Sequence, residues 1–226
     1  PGRIADFLRR KIIISDKLKT LTLDEADECL SPGFKDQIYE IFQKLPEDIQ
    51  VVLFSATMPP EMLEMTKKFM RNPQMILVEK EKLTLKGIEQ YYINCEEKRW
   101  KFETLCDIYE YVSVAQCIIY CNTKFQLDWL ERSLSERSFA VSCIHGDLST
   151  DQRKDIMQNF RSGKTRILLS SDLLARGIDV QQVSLVINYD LPTQYENYIH
   201  RIGRSGRYGR KGTTINLCTK YDMNKL

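Results

Sequence analysis

Leu23, Asp24, Glu25, Ala26, Asp27 and Glu28 close an apolar run that starts at Leu18, and the reading of this stretch decides the fold. Leucines and threonines that stop abruptly on clustered carboxylates describe a buried strand. Such a strand delivers acids to the carboxyl edge of a parallel sheet, where open α/β folds bind their ligands. In nucleotide hydrolases the first acid at a strand end of this kind serves Mg²⁺, and its neighbour orients the attacking water. Asp24 and Glu25 suit those two roles. The same residues suit an acidic N-cap and first turn of the following helix, where the helix dipole favours negative charge. Taken alone, the stretch fits both readings.

Working outward, Pro1, Gly2 and Arg3 read as a turn opening an amphipathic helix over residues 4–8. Downstream, Phe34, Ile38, Ile41, Phe42 and Leu45 recur at helical spacing and form one apolar stripe. A second apolar run, residues 50–54, ends on Ser55, Ala56 and Thr57 before another helical pattern over 61–70. Ser55 or Thr57 can simply cap that helix. They also end a strand that would lie beside the one ending on Asp24. Residues 75–78 read as a third short strand, and residues 79–87 alternate in charge up to Gly87, the composition of a solvated linker. The expected domains are therefore residues 1–78 and 88–226, with 79–87 between them.

Beyond the linker the alternation repeats. Strands are expected at 88–93, 117–120, 140–143, 166–169, 183–187 and 213–217, with helices at 100–111, 127–134, 152–160 and 195–202. Polar residues follow the strand ends: Asn122 and Thr123, then His145, Gly146 and Asp147, then Ser170, Ser171 and Asp172. Repeats of this length specify a doubly wound parallel sheet, an α/β fold. Gly163, Lys164 and Thr165 copy the tail of a phosphate-binding loop, but residue 158 is Gln where the motif needs its first glycine. The tripeptide also follows a helix and precedes a strand, the reverse of the order that aims backbone amides at phosphate. Gly163 reads instead as a helix C-cap.

The 226 residues carry a net charge of only +2, so a nucleic-acid partner has to be argued from where the basic residues cluster. No apolar run approaches the roughly 20 residues of a membrane span, so no membrane partner is expected. Seven cysteines without a Cys-x-x-Cys pair favour reduced thiols in a cytoplasmic or nuclear protein. Cys117, Cys121, Cys143 and His145 lack the spacing of a zinc finger.

Basic residues do cluster from His200 to Gly212, where glycines at 203, 206, 209 and 212 alternate with Arg201, Arg204, Arg207 and Arg210. Glycine lets backbone come close to a ligand, and arginine offers permanently charged, forked donors suited to phosphate. A solvated basic loop touching nucleic-acid phosphates is the plainer reading. Set against the acids of the other domain, arginine fingers acting on a phosphoryl group explain the stretch better.

Pro1-Gly2-Arg3, Asp24-Glu25-Ala26-Asp27, Ser55-Ala56-Thr57, Ser171-Asp172, Ala175-Arg176-Gly177-Ile178-Asp179 and His200 through Arg207, in this order, resemble a DEAD-box RNA helicase. Along its length the chain is similar to the translation initiation factor 4A group. The resemblance implies two RecA-like parallel-sheet domains, the first truncated at its N-terminus, with the adenine-reading segment and phosphate loop expected before Pro1. It implies ATP and Mg²⁺ as cofactors, RNA as partner with contacts to its backbone, and a translation initiation scaffold protein beside it. By resemblance, Asp24 serves Mg²⁺ and Glu25 the hydrolytic water. Asp27, Ser55, Thr57 and His200 couple hydrolysis to domain closure. Arg204 and Arg207 reach the γ-phosphate, while Gly177 and Asp179 belong to the nucleotide site, with Asp179 on the ribose. Gly2, Arg3, Asn122, Thr123, Gly146, Arg153 and Ser171 line the RNA track. The sequence departs from the family where Thr150 replaces a glutamine and where Phe125 and Gln126 interrupt a basic pair after Asn122-Thr123. A non-catalytic RNA-binding scaffold and a nuclear exon-junction clamp are the rival functions.

Overall fold

The computed structural model describes residues 1–77, 87–112, 115–172, 180, 182–206 and 210–225. The expected linker, apart from Gly87, lies outside them, as do Gly177, Asp179 and Arg207. The chain divides into two compact units, Pro1–Val78 and Glu79–Leu226.

The first unit runs α1 (Gly2–Arg9), β1 (Thr20–Leu23), α2 (Ala26–Cys29), α3 (Lys35–Gln43), β2 (Gln50–Leu53) and α4 (Pro60–Phe69). β1 and β2 pair in parallel with Leu23 opposite Leu53, so both strands end at one edge. The stripe read from the sequence is the buried face: Ile38 and Ile41 pack with Ala5, Leu8, Leu23 and Met62. Residues 75–77 correct one expectation. Met75, Ile76 and Leu77 are not a strand, and Ile76 is 98% exposed. An apolar run becomes a strand only where a neighbour takes up its backbone N–H and C=O groups, and β1 and β2 pair only with each other among the described residues.

The second unit is β3 (Ile88–Asn94), α5 (Lys101–Tyr111), β4 (Gln116–Tyr120), α6 (Lys124–Glu136), β5 (Val141–Ile144), α7 (Thr150–Arg161), β6 (Ile167–Ser170), β7 (Val183–Asn188), α8 (Tyr195–Ile202) and β8 (Gly212–Cys218). Its six strands lie in the order β3-β8-β7-β4-β6-β5, every pair parallel. β4 and β6 are buried at every residue, as strands covered on both faces must be. Alternation along β4 sends Cys117 and Ile119 to a core shared with Leu105 of α5 and Leu127, Leu130 and Leu134 of α6. It sends Ile118 and Tyr120 to the other face, against Phe160 of α7. A Ser149 and Gln152 capping box starts α7, and Gly163, at φ 76°, follows its end.

These two cores serve a complete sheet, whereas the first unit covers a two-stranded one. Limited proteolysis of the chain is therefore expected to leave a protected fragment beginning near Ile88. A protected core beginning before Leu18 would contradict this.

Candidate functional site

β1 hands its acids directly to the edge. Phe54 N–H donates to the Leu23 carbonyl at 2.8 Å and Ala26 N–H to the Phe54 carbonyl at 3.0 Å, which stitches the ends of β1 and β2 together. Asp24 is exposed, and its Oδ1 accepts the Glu25 N–H at 2.9 Å. Glu25 stands at φ 49°, ψ 50°, a left-handed conformation that costs a non-glycine residue about 1 kcal/mol. It is also the N-cap of α2, with Asp27 and Glu28 in the first turn as the plain reading expects, but it makes no side-chain capping bond.

Asp27 explains the third acid. Its Oδ1 accepts the Ser55 hydroxyl and its Oδ2 the Thr57 hydroxyl, each at 2.8 Å. The two hydroxyls that could have capped α4 point back to the acid cluster, and α4 has no side-chain cap. Thr57 is buried, so this double bond lies in a partly dry setting where it holds the two strand ends in one geometry. Upstream, Gln37 Oε1 lies 3.0 Å from where a Cβ on Gly2 would stand, so Gly2 allows a close approach of α3, while Arg3 is exposed.

The single carboxylate of Asp24 fits Mg²⁺, a hard ion that takes few protein oxygens and fills its octahedron with phosphate and water. Among the described residues no group of three or more acids, cysteines or histidines is placed to hold an ion alone. Asp24 would therefore share such an ion with the nucleotide.

In the second unit the centre is Arg201, which the sequence shows only as one arginine of the basic stretch. Arg201 is fully buried beneath the carboxyl ends of the strands. Its Nε donates to Asp172 Oδ1 at 2.5 Å, Nη1 to the Asp190 carbonyl at 2.7 Å and Nη2 to Asn122 Oδ1 at 2.7 Å. Its guanidinium carbon also lies 5.2 Å from the Tyr120 ring centroid. Asn122 completes the knot, giving its Nδ2 to the Leu191 carbonyl at 2.7 Å. Lys101, 3% exposed, is a second buried cation, donating to the Tyr189 carbonyl at 2.7 Å and standing 3.8 Å from both Asp190 and Asp222. A basic residue inside an apolar helical pattern is the signal that could have found each of them.

The proposed RNA residues of the second unit have different duties at this edge. Thr123 caps α6 by accepting the Gln126 N–H at 3.2 Å, and Asn122 is tied to Arg201. Arg153 donates Nε to the Leu148 carbonyl at 2.9 Å and Nη2 to the Gly146 carbonyl at 3.4 Å, stapling the loop after β5. Lys124 joins the same loop through Asp147 at 2.5 Å. Ser171 uses its carbonyl to accept the Ser170 hydroxyl at 2.8 Å.

Of the basic stretch, His200 and Arg204 are buried at 5% and 8% exposure, and Arg204 Nε donates to the His200 carbonyl at 3.2 Å. A Cβ on Gly212 would stand 2.6 Å from the Gly206 nitrogen, and Gly206 adopts φ 70°. These two glycines let backbone approach backbone where the chain enters β8.

The DEAD/DEAH box helicase family profile matches residues 1–66, and the helicase conserved C-terminal domain profile matches residues 100–209. Eukaryotic initiation factor 4A of Caenorhabditis elegans is 57% identical over all 226 residues, which cover 56% of that protein. The ATP-dependent RNA helicase eIF4A of Mycosarcoma maydis is 59% identical over the whole chain, covering 55% of its length. The chain thus spans little more than half the length of the curated relatives it matches. Among solved structures, S. cerevisiae Dbp5 bound to RNA and ADP BeF3 aligns over 99% of this chain and 59% of its own, at a TM-score of 0.91 and 38% identity.

Proposed function

Because the chain belongs to the DEAD-box helicase family, within its initiation factor 4A group, we propose that it works as part of an ATP-dependent RNA helicase of translation initiation, coupling ATP hydrolysis to local separation of RNA strands. The observation that carries this reading is the clamp of Ser55 and Thr57 on Asp27. It ties the strand that presents Asp24 and Glu25 to the strand that opens α4, so a change at the acids is felt along α4.

In this reading Asp24 holds Mg²⁺ and Glu25 accepts a proton from the attacking water. When bound, Mg²⁺ supplies charge neutralisation on the triphosphate. The left-handed backbone of Glu25 fixes where its carboxylate stands relative to Asp24. Arg204, buried with its Nε on the His200 carbonyl, reaches the γ-phosphate in this reading. Arg207, Gly177 and Asp179 complete the nucleotide site by family resemblance. RNA is held through its sugar–phosphate backbone at Gly2, Arg3, Asn122, Thr123, Gly146, Arg153 and Ser171. A scaffold protein of translation initiation is the further partner, and the cytoplasm is the place of action.

Titrating the 226-residue chain with single-stranded RNAs of different sequence at several salt concentrations tests the RNA half of this reading. Weak binding, equal among sequences and falling linearly with log salt, is expected for phosphate contacts. Tight binding to one sequence that survives high salt would sink it.

A further inference from the structure

The turn from β4 into α6 spends its polar groups on the protein itself. Asn122 is tied to Leu191 and Arg201, Thr123 caps the helix, and Lys124 is held by Asp147, whose carboxyl it keeps below its ordinary pKa. Of the two residues that interrupt the basic pair expected here, Gln126 is turned inward at 8% exposure. Phe125 is turned outward at 78%, with no ring or cation contact among the described residues.

A single exposed apolar side chain is ordinary, and Tyr195, 62% exposed where α8 opens, is another at the carboxyl edge; Phe125 is the one next to the residues that fasten the Gly146 loop. Tyr111, 85% exposed, ends α5 and so stands at the amino edge of the sheet, away from the site. Tyr221, 76% exposed, has the Lys220 ammonium 5.1 Å from its ring centroid. Phe125 opens α6 at the carboxyl edge, one residue from the Lys124–Asp147 bridge that fastens the Gly146 loop, and Arg153 staples that loop from the other side. Nothing lies within 4 Å of where a Cβ on Gly146 would stand, so a sugar–phosphate chain can come against that backbone. The carboxyl edge thus carries a bare ring, an open backbone and the Arg153 guanidinium. These are the parts of a single-strand site, in which cationic groups follow the backbone and an aromatic face takes a base.

We propose that Phe125 is a stacking platform for one base of the bound RNA strand. The proposal rests on the RNA-binding reading above. Every base has a π-face, so stacking adds affinity without adding sequence preference, and it adds it without releasing counterions.

The test compares the 226-residue chain with Phe125→Ala and Phe125→Trp, using single-stranded RNA and the same RNA with abasic positions. Alanine is a strong helix former, so α6 is kept. The alanine variant is expected to bind intact RNA at least about fivefold more weakly, with an unchanged slope of log affinity against log salt. That penalty should vanish on abasic RNA. The tryptophan variant should bind at least as well as the parent, with its added fluorescence quenched by intact RNA and not by abasic RNA. Equal affinity of parent and alanine variant for intact RNA, or an equal penalty on both RNAs, overturns the proposal while leaving the RNA-binding reading in place. A parent chain that binds no RNA overturns both.

Discussion

Replacing Arg201 with alanine is expected to lower the unfolding temperature of the second unit by about 10 °C. The side chain is fully buried and holds Asp172, Asn122 and the Asp190 carbonyl at once. Removing one partner of a buried ionic network costs about 3–5 kcal/mol, because the groups left behind keep their desolvation penalty without their bonds. For a unit of this size each 1 kcal/mol moves the midpoint by about 3 °C. Arg201→Lys keeps the charge but cannot reproduce a planar fork with three directions, so an intermediate loss is expected. Trp100 and Trp129, the two tryptophans of the chain, both lie in the second unit, so a thermal melt followed by their fluorescence reports that unit alone. A midpoint within about 2 °C of the parent would show that Arg201 is not the centre of the edge.

Carried within a protein of its relatives' length, the chain with Glu25→Gln is expected to lose about 10³-fold in RNA-stimulated kcat, about 4 kcal/mol of transition-state stabilisation. Glutamine keeps the shape and meets the same left-handed backbone, so the loss reads on proton acceptance rather than on folding. Nucleotide binding should survive, because Asp24 is untouched. The 226-residue chain alone should show no measurable turnover, since its sequence holds no Gly-x-x-x-x-Gly-Lys loop to cradle the triphosphate. Steady-state hydrolysis beside equilibrium nucleotide binding separates the effects. A variant that keeps more than a tenth of the parent's kcat would remove Glu25 from the role of base.

Much of this was legible from periodicity. The apolar stripe of α3, the buried runs of β4 and β6 and the polar residues after each strand all announced a parallel sheet with its chemistry at one edge. Residues 75–77 misled because strand formation depends on a neighbour, which a local pattern cannot supply. Arg201 was read only as one arginine of the basic stretch because its partners come from three segments far apart in sequence, and the pairing of β4 with β7 brings Asn122 and Asp190 together. Gly206 and Gly212 were read as a phosphate signal since the sequence shows that backbone must come close, but not to what.

The position of β8 governs when the second unit can exist. Among the described residues, β3 is the first strand of that unit to be made and pairs only with β8, which is the last and sits between β3 and β7. At a synthesis rate of about 5–20 residues per second, roughly ten seconds pass between the emergence of Asn94 and that of its partner Cys218. Throughout that interval β3, which carries Tyr91 and Tyr92, waits without its partner strand, so the sheet of the second unit closes only at the end of its synthesis.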